Sequence, residues 1–191
     1  MEIPTQMEDL HREIEQVRDD YYADNRKNTF FKKQQKYDCA KQVTSHIPLE
    51  LLLNQSCRIL PSTEKIYIDY PFVKTFASPE VFEAIANHVF QVFLQSMKEF
   101  GVINVHLNLE GFTVSAAERY KQIVVSFCDK CLRDNTGFSQ VIGCFMIYNT
   151  PSAIDHIKMI FMPFMLEAVK RKAKLISKRE SEPLLRELGV I

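Results

Sequence analysis

The sequence predicts an α/β domain: a mostly parallel sheet of about four to five strands with helices on its faces, preceded by N-terminal helices. Three observations carry this expectation. From residue 65 onward, short β-rich runs alternate with helical stripes. The run Val141–Tyr148 is apolar nearly throughout, the pattern of a strand buried on both faces. The first 60 residues carry helical periodicity instead, so a helical extension over 1–60 and an α/β domain over 61–191 are expected.

Met7, Leu10, Ile14, Val17 and Tyr21 recur at spacings of three and four, on one side of a helix. The stripe is too short for a coiled coil, so the helix is expected to lie on the rest of the protein, with a protein partner as the other reading. Residues 24–45 read as a second polar helix anchored by Phe30, Phe31, Tyr37, Ala40 and Val43. Pro48 to Leu60 is apolar and helical at first, and Pro61-Ser62 ends it. Ile66, Tyr67, Ile68 and Tyr70 form a first strand before Pro71.

Ser78-Pro79-Glu80 predicts a helix start, with Ser78 as cap and Pro79 in the first helical position. Val81, Phe82, Ile85, Ala86, Val89, Phe90, Phe93, Leu94 and Met97 continue it, and Gly101 stops it. Val102, Ile103, Val105, Leu107 and Leu109 make a second strand, closed by Glu110-Gly111. Ser115 is the expected cap of the next helix, whose stripe is Ala116, Tyr120, Ile123, Val124, Phe127 and Cys131. After the third strand, Asn149-Thr150-Pro151 turns the chain into a last long helix over 152–172. Lys174–Ser177 is the expected fourth strand.

Composition narrows the function. Lys plus Arg and Asp plus Glu both number 24, so no overall field argues for a nucleic-acid partner. No stretch of about 18 uninterrupted apolar residues is present, and the acidic start is unlike a secretory peptide. Five scattered cysteines suit reduced thiols. A cytoplasmic protein, peripheral on membranes, is expected. The five glycines, at 101, 111, 137, 143 and 189, make neither G-x-G-x-x-G nor a phosphate-binding loop. No G-x-S-x-G elbow is present. Cys128 and Cys131 form a C-x-x-C near a helix end, where a thiolate gains nothing from the dipole, so packing is expected. His106 and His156 are the histidines that could meet, although structural or exposed roles suit them better. No enzyme activity, metal or cofactor is expected.

Three segments carry a likeness to a known family. Ile103 to Phe112 (INVHLNLEGF) is similar to a strand ending in Asp-x-x-Gly, Phe145 to Pro151 (FMIYNTP) to a Tyr-Ile-Ile-Asn-Ala-Pro strand end, and Met159 to Met165 (MIFMPFM) to a Lys-Pro-Phe-Leu helix segment. In this order and spacing they resemble the CRAL-TRIO lipid-binding domain, over residues of about 65–178. The resemblance implies a sheet flooring an apolar pocket that a mobile helix, here 152–172, closes over one hydrophobic molecule. Met162 stands where inositol-lipid binders of that family carry Lys, Ser126 near their acidic partner, and Asn108 in place of the Asp. The resemblance therefore implies a lipid less charged than a phosphoinositide.

The expected lipid contacts are Val105, Leu107, Phe127, Phe145, Ile147, Ile154, Ile157, Ile160, Phe161, Phe164 and Met165, with Pro163 kinking the helix. Lys170, Arg171, Lys172 and Lys174 are expected to dock transiently on an anionic membrane; the basic-aromatic stretch from Arg26 to Lys41 could cooperate, although a solvated helix face suits it better. A lipid carrier is the leading reading. A ligand-free CRAL-TRIO-like scaffold for a protein partner is the alternative.

Overall fold

The computed structural model describes residues 3–25, 30–133, 137–165 and 167–191; the side chains of 3–7 and 132–133 lie outside that description, as does Met7 of the first stripe. The chain is an α/β protein built on a five-stranded mixed sheet in the order β1-β2-β3-β4-β5. The strands are β1 (Cys57–Ile59), β2 (Lys65–Asp69), β3 (Ile103–Asn108), β4 (Ile142–Tyr148) and β5 (Ala173–Leu175). β1 pairs antiparallel with β2 through a tight turn in which Ser62 takes a positive φ of 59°. All later neighbours are parallel.

The helices are α1 (Ile3–Asp24), α2 (Lys32–His46), α3 (Leu49–Ser56), α4 (Tyr70–Phe76), α5 (Phe82–Phe100), α6 (Val114–Arg133), α7 (Phe138–Val141), α8 (Ile154–Phe161), α9 (Glu167–Lys172) and α10 (Lys178–Glu187). Each crossover from β2 to β5 steps to the next strand in the same direction. Right-handed crossovers of that kind place their helices on one face. Helices lie on both faces, unequally: α5, α6, α8 and α9 share one face with Ile66, Val105, Phe145 and Ile147, and the other carries α10.

Several boundaries differ from expectation for local reasons. Tyr70 opens α4 rather than extending a strand, because Pro71 fits the first turn of a helix. The stretch after Pro48 is helical only to Ser56, and its last residues join the sheet as β1. Residue 60, the expected domain limit, therefore falls at the β1–β2 hairpin. Ser78 does not cap by its side chain: it is fully buried, its Oγ has no hydrogen-bond partner among the described residues, and α5 begins at Phe82. Thr113, not Ser115, caps α6, since its Oγ1 accepts from the backbone N–H of Ala116 at 3.2 Å. Gly101 closes α5 with φ 70°, as expected.

The last long helix is two helices. Pro163 and the turn around it separate α8 from α9, because proline has no N–H to continue the ladder. Leu166 lies outside the described residues. β4 is not buried on both faces: Gly143 is exposed and Cys144 to Met146 are half-buried. Glycine is required there, since a Cβ at 143 would collide with Asn104 Oδ1 where the β3–β4 register shifts. α10 had no sequence-based expectation. A reciprocal Ser177–Glu180 capping box starts it.

One apolar core joins the N-terminal helices to the α/β part. Ile14, Tyr37, Val43, Ile47 and Leu52 pack in the same cluster as Phe72, Phe76, Phe82 and Ile147. The α1 stripe thus lies against its own chain, with Leu10 and Val17 packed on that cluster. Of the anchors expected in α2, Tyr37, Ala40 and Val43 are buried, whereas Phe30 and Phe31 stand 91% and 69% exposed.

Candidate functional site

Alternation along the strands gives each sheet face its own chemistry. On the covered face, Ile66 and Ile68 of β2 align with Val105 and Leu107 of β3, then with Phe145 and Ile147 of β4. Val105 and Ile103 are 0% exposed, packed with Phe93 and Phe138. Leu107, two residues further along β3, and Phe145, the β4 neighbour of Val105, remain partly accessible. Above them sits α8. Ile157 is its buried anchor at 3% exposure, while Ile154, Ile160 and Phe161 are half-buried against the same cluster. Met159 faces outward at 70% exposure.

Nine of the expected lipid contacts thus lie in the two adjoining core clusters, and Phe145 bridges them. Val105 and Phe127 belong to the deeper one, beside α5 and α9. Phe164 and Met165 fall in the turn after α8 and lie outside both clusters; the Lys121 ammonium sits 5.3 Å from the Phe164 ring. At the positions that mark inositol-lipid binders, Met162 is exposed and Ser126 Oγ accepts from Gln122 on its own helix.

The opposite face is polar and sequence reasoning missed it. Lys65, Tyr67 and Asp69 align with Asn104, His106 and Asn108, then with Cys144, Met146 and Tyr148. Asn108 holds the strand ends together. Its amide donates to Asp69 Oδ1 at 3.0 Å and to the Tyr67 hydroxyl at 3.3 Å. Its Oδ1 accepts from the Asn149 amide at 2.8 Å and from the Glu110 N–H at 3.1 Å. Asn149, in a left-handed conformation with φ 51°, donates its backbone N–H to Ser181 Oγ of α10 at 2.7 Å. Asn108 thus has a structural role: Asp69 on the neighbouring strand supplies a carboxylate, and the amide of residue 108 donates to it.

Burial raises the Asp69 carboxyl, against the lowering effect of the hydrogen bonds from Asn108 and Tyr67. Burial likewise lowers His106 to about 4, so its ring is neutral at pH 7, with Nδ1 2.8 Å from the Tyr148 hydroxyl oxygen. His156 is exposed on α8, on the far side of the sheet, and the two histidines do not meet. The signal for this face was present as polar residues at every second position of two strands.

The remaining candidates resolve locally. All five cysteines are free thiols, and burial pushes Cys128 up to about 11 and Cys57 up to about 12, which makes them poor nucleophiles. No group of His, Cys, Asp and Glu fit for a metal occurs among the described residues. Of the expected membrane-docking cations, Lys170 pairs with Glu167 at 2.6 Å and Lys172 donates to the Ile142 carbonyl. Arg171 and Lys174 are exposed. Among the described residues no helix is long and apolar enough to cross a membrane.

The chain matches no protein-family profile, no curated protein and no solved structure.

Proposed function

We propose that this protein is a CRAL-TRIO-like carrier that holds one apolar molecule between α8, α6 and the covered face of β3 and β4, and exchanges it at membranes. One observation carries the reading: Leu107 and Phe145 keep solvent access on a face where Ile103 and Val105 have none. A finished helix–sheet interface packs at crystal-like density throughout. Half-buried apolar side chains in the centre of a sheet mark a seam that can admit a guest.

The cover suits that role. α8 has one buried anchor, an apolar face of Ile154, Ile157, Ile160 and Phe161, and a proline turn behind it. A segment with so few buried contacts opens at a small fraction of the global unfolding free energy. An uncharged guest fits better than an inositol lipid, since Leu107, Phe145, Ile154 and Ile160 offer no headgroup ligand. The scaffold reading has no comparable support, because the α1 stripe that would meet a partner already packs on the core.

The chain contains no tryptophan, so Ile160→Trp supplies a single reporter at the seam. Titration of I160W with oleyl alcohol should shift its emission to a saturating value, and organic extraction of the purified wild-type chain should yield a co-purifying lipid by mass spectrometry. Unchanged emission together with reproducibly empty extracts would overturn the proposal.

A further inference from the structure

The two phenylalanines expected to anchor α2 do the opposite. Phe30 and Phe31 project at the helix's N-terminal end, 91% and 69% exposed, and exposed Lys32, Lys33 and Lys36 follow within the first turns. Two other elements bring cations to the same end. Lys74 of α4 lies 5.7 Å from the Tyr70 ring, and Arg119 of α6 lies 5.5 Å from the Tyr120 ring. Those two rings contact each other at 6.1 Å, and Tyr37 of α2 reaches across to donate to the Arg119 carbonyl at 3.0 Å.

Among the described residues, none of Lys32, Lys36, Lys74 and Arg119 forms an ion pair, and Arg119 Nε is buried with no hydrogen-bond partner. Burial and the neighbouring cations Arg119, Lys32 and Lys74 hold the Lys36 ammonium below its usual range. Glu80, which lines a cavity with Phe30 and Phe31, pairs with Lys41 instead, and four like charges gathered from three elements are the complement of an anionic surface.

We propose that this end of the molecule docks on an anionic lipid bilayer, with Phe30 and Phe31 entering the headgroup–acyl boundary and Lys32, Lys36, Lys74 and Arg119 facing lipid phosphates. The size of the apolar tip favours a bilayer over a protein. Two phenylalanines supply about 300–500 Å² between them, below the ~800 Å² per partner of a stable protein interface. A small apolar wedge ringed by cations is what interfacial binding uses. The docking surface stands whether or not the seam under α8 takes a guest, and it is a different surface from the Lys170–Lys174 cluster.

The test is flotation of the full chain with phosphatidylcholine vesicles, with and without phosphatidylserine, at low and high salt. The wild-type chain should float with the phosphatidylserine vesicles alone, and less at high salt. F30S/F31S should weaken binding by about tenfold or more. K32Q/K36Q should weaken it about 25-fold, at roughly fivefold per lysine. K98Q/R179Q, at exposed cations outside both basic clusters, should leave it unchanged. All these side chains are at the surface, and circular dichroism verifies that each variant is folded. Failure of the wild-type chain to bind, wild-type binding by either α2 variant, or loss of binding in K98Q/R179Q would each overturn the proposal. So would sedimentation showing that F30S/F31S only breaks up a self-associated species, which would assign the patch to a second copy of the chain.

Discussion

The two faces of the sheet are drawn from the same strands, and side chains one residue apart meet different worlds. On one face Ile66, Val105 and Ile142 are buried beneath α5, α6 and α9. On the other, Tyr67, His106, Asn108 and Tyr148 are buried in a polar network beneath α10. The difference follows from winding. Successive crossovers in one direction load one face with helices and leave the other to whatever the C-terminus supplies. The loaded face can rely on apolar burial. The lightly covered face relies on hydrogen bonds whose partners must all be present.

The covered face should show the largest single effect, and a gradient along its length. Phe138→Ala, at a fully packed position, should cost about 3–5 kcal/mol in urea unfolding. Leu107→Ala, at the seam, should cost no more than ~2 kcal/mol, the low end for buried leucine. Equal losses at the two sites would mean that the seam is packed as tightly as the deep core, and the contrast within that face would vanish.

The polar face is broken by one oxygen. Asn108→Asp replaces the amide that donates to Asp69 and Tyr67 with a second carboxylate. The expected loss at neutral pH is about 2–3 kcal/mol, shrinking as acid protonates the pair. A loss independent of pH would show that the two side chains do not interact as described.

His106 gives that face its own pH dependence. Its folded value, about 4, lies below the ordinary 6.5, so the unfolded chain binds the proton more readily. Its contribution is therefore fully present above pH 6.5 and is lost as pH falls through 4. His106→Gln should flatten the fall of the urea midpoint across that window. Parallel curves for the variant and the wild-type chain would remove His106 from the account.

The smallest effect concerns the helix that closes the covered face. Thr113→Ala should cost about 1 kcal/mol, as the loss of a cap does, while Ser115→Ala should fall within ~0.5 kcal/mol of wild type. The reverse order would move the start of α6 to where the sequence alone had put it.

Much of this architecture was legible because periodicity is local. The stripe through Phe82, Ile85, Phe90 and Phe93, the stop at Gly101 and the β3 run through Val105 and Leu107 follow from spacing alone. Short elements were less legible. β1 has three residues and is made a strand by its pairing with β2, and α4 was hidden by β-rich Tyr70. Of the expected lipid contacts, those on strands and on α8 converge, because period 2 and period 3.6 each place residues on one side. Phe164 and Met165 escape because Pro163 ends that period.

The sequence by itself determined the alternation of strand and helix, the apolar composition of α8 and the lack of a phosphate loop, since each depends on residues close along the chain. Only the tertiary structure decided the direction of winding, and with it which face is loaded. It also decided that Asn108 answers Asp69 across 39 residues, and that Phe30 and Phe31 face outward while cations from α2, α4 and α6 gather beside them. These depend on contacts between distant segments, which hydrophobic spacing does not encode.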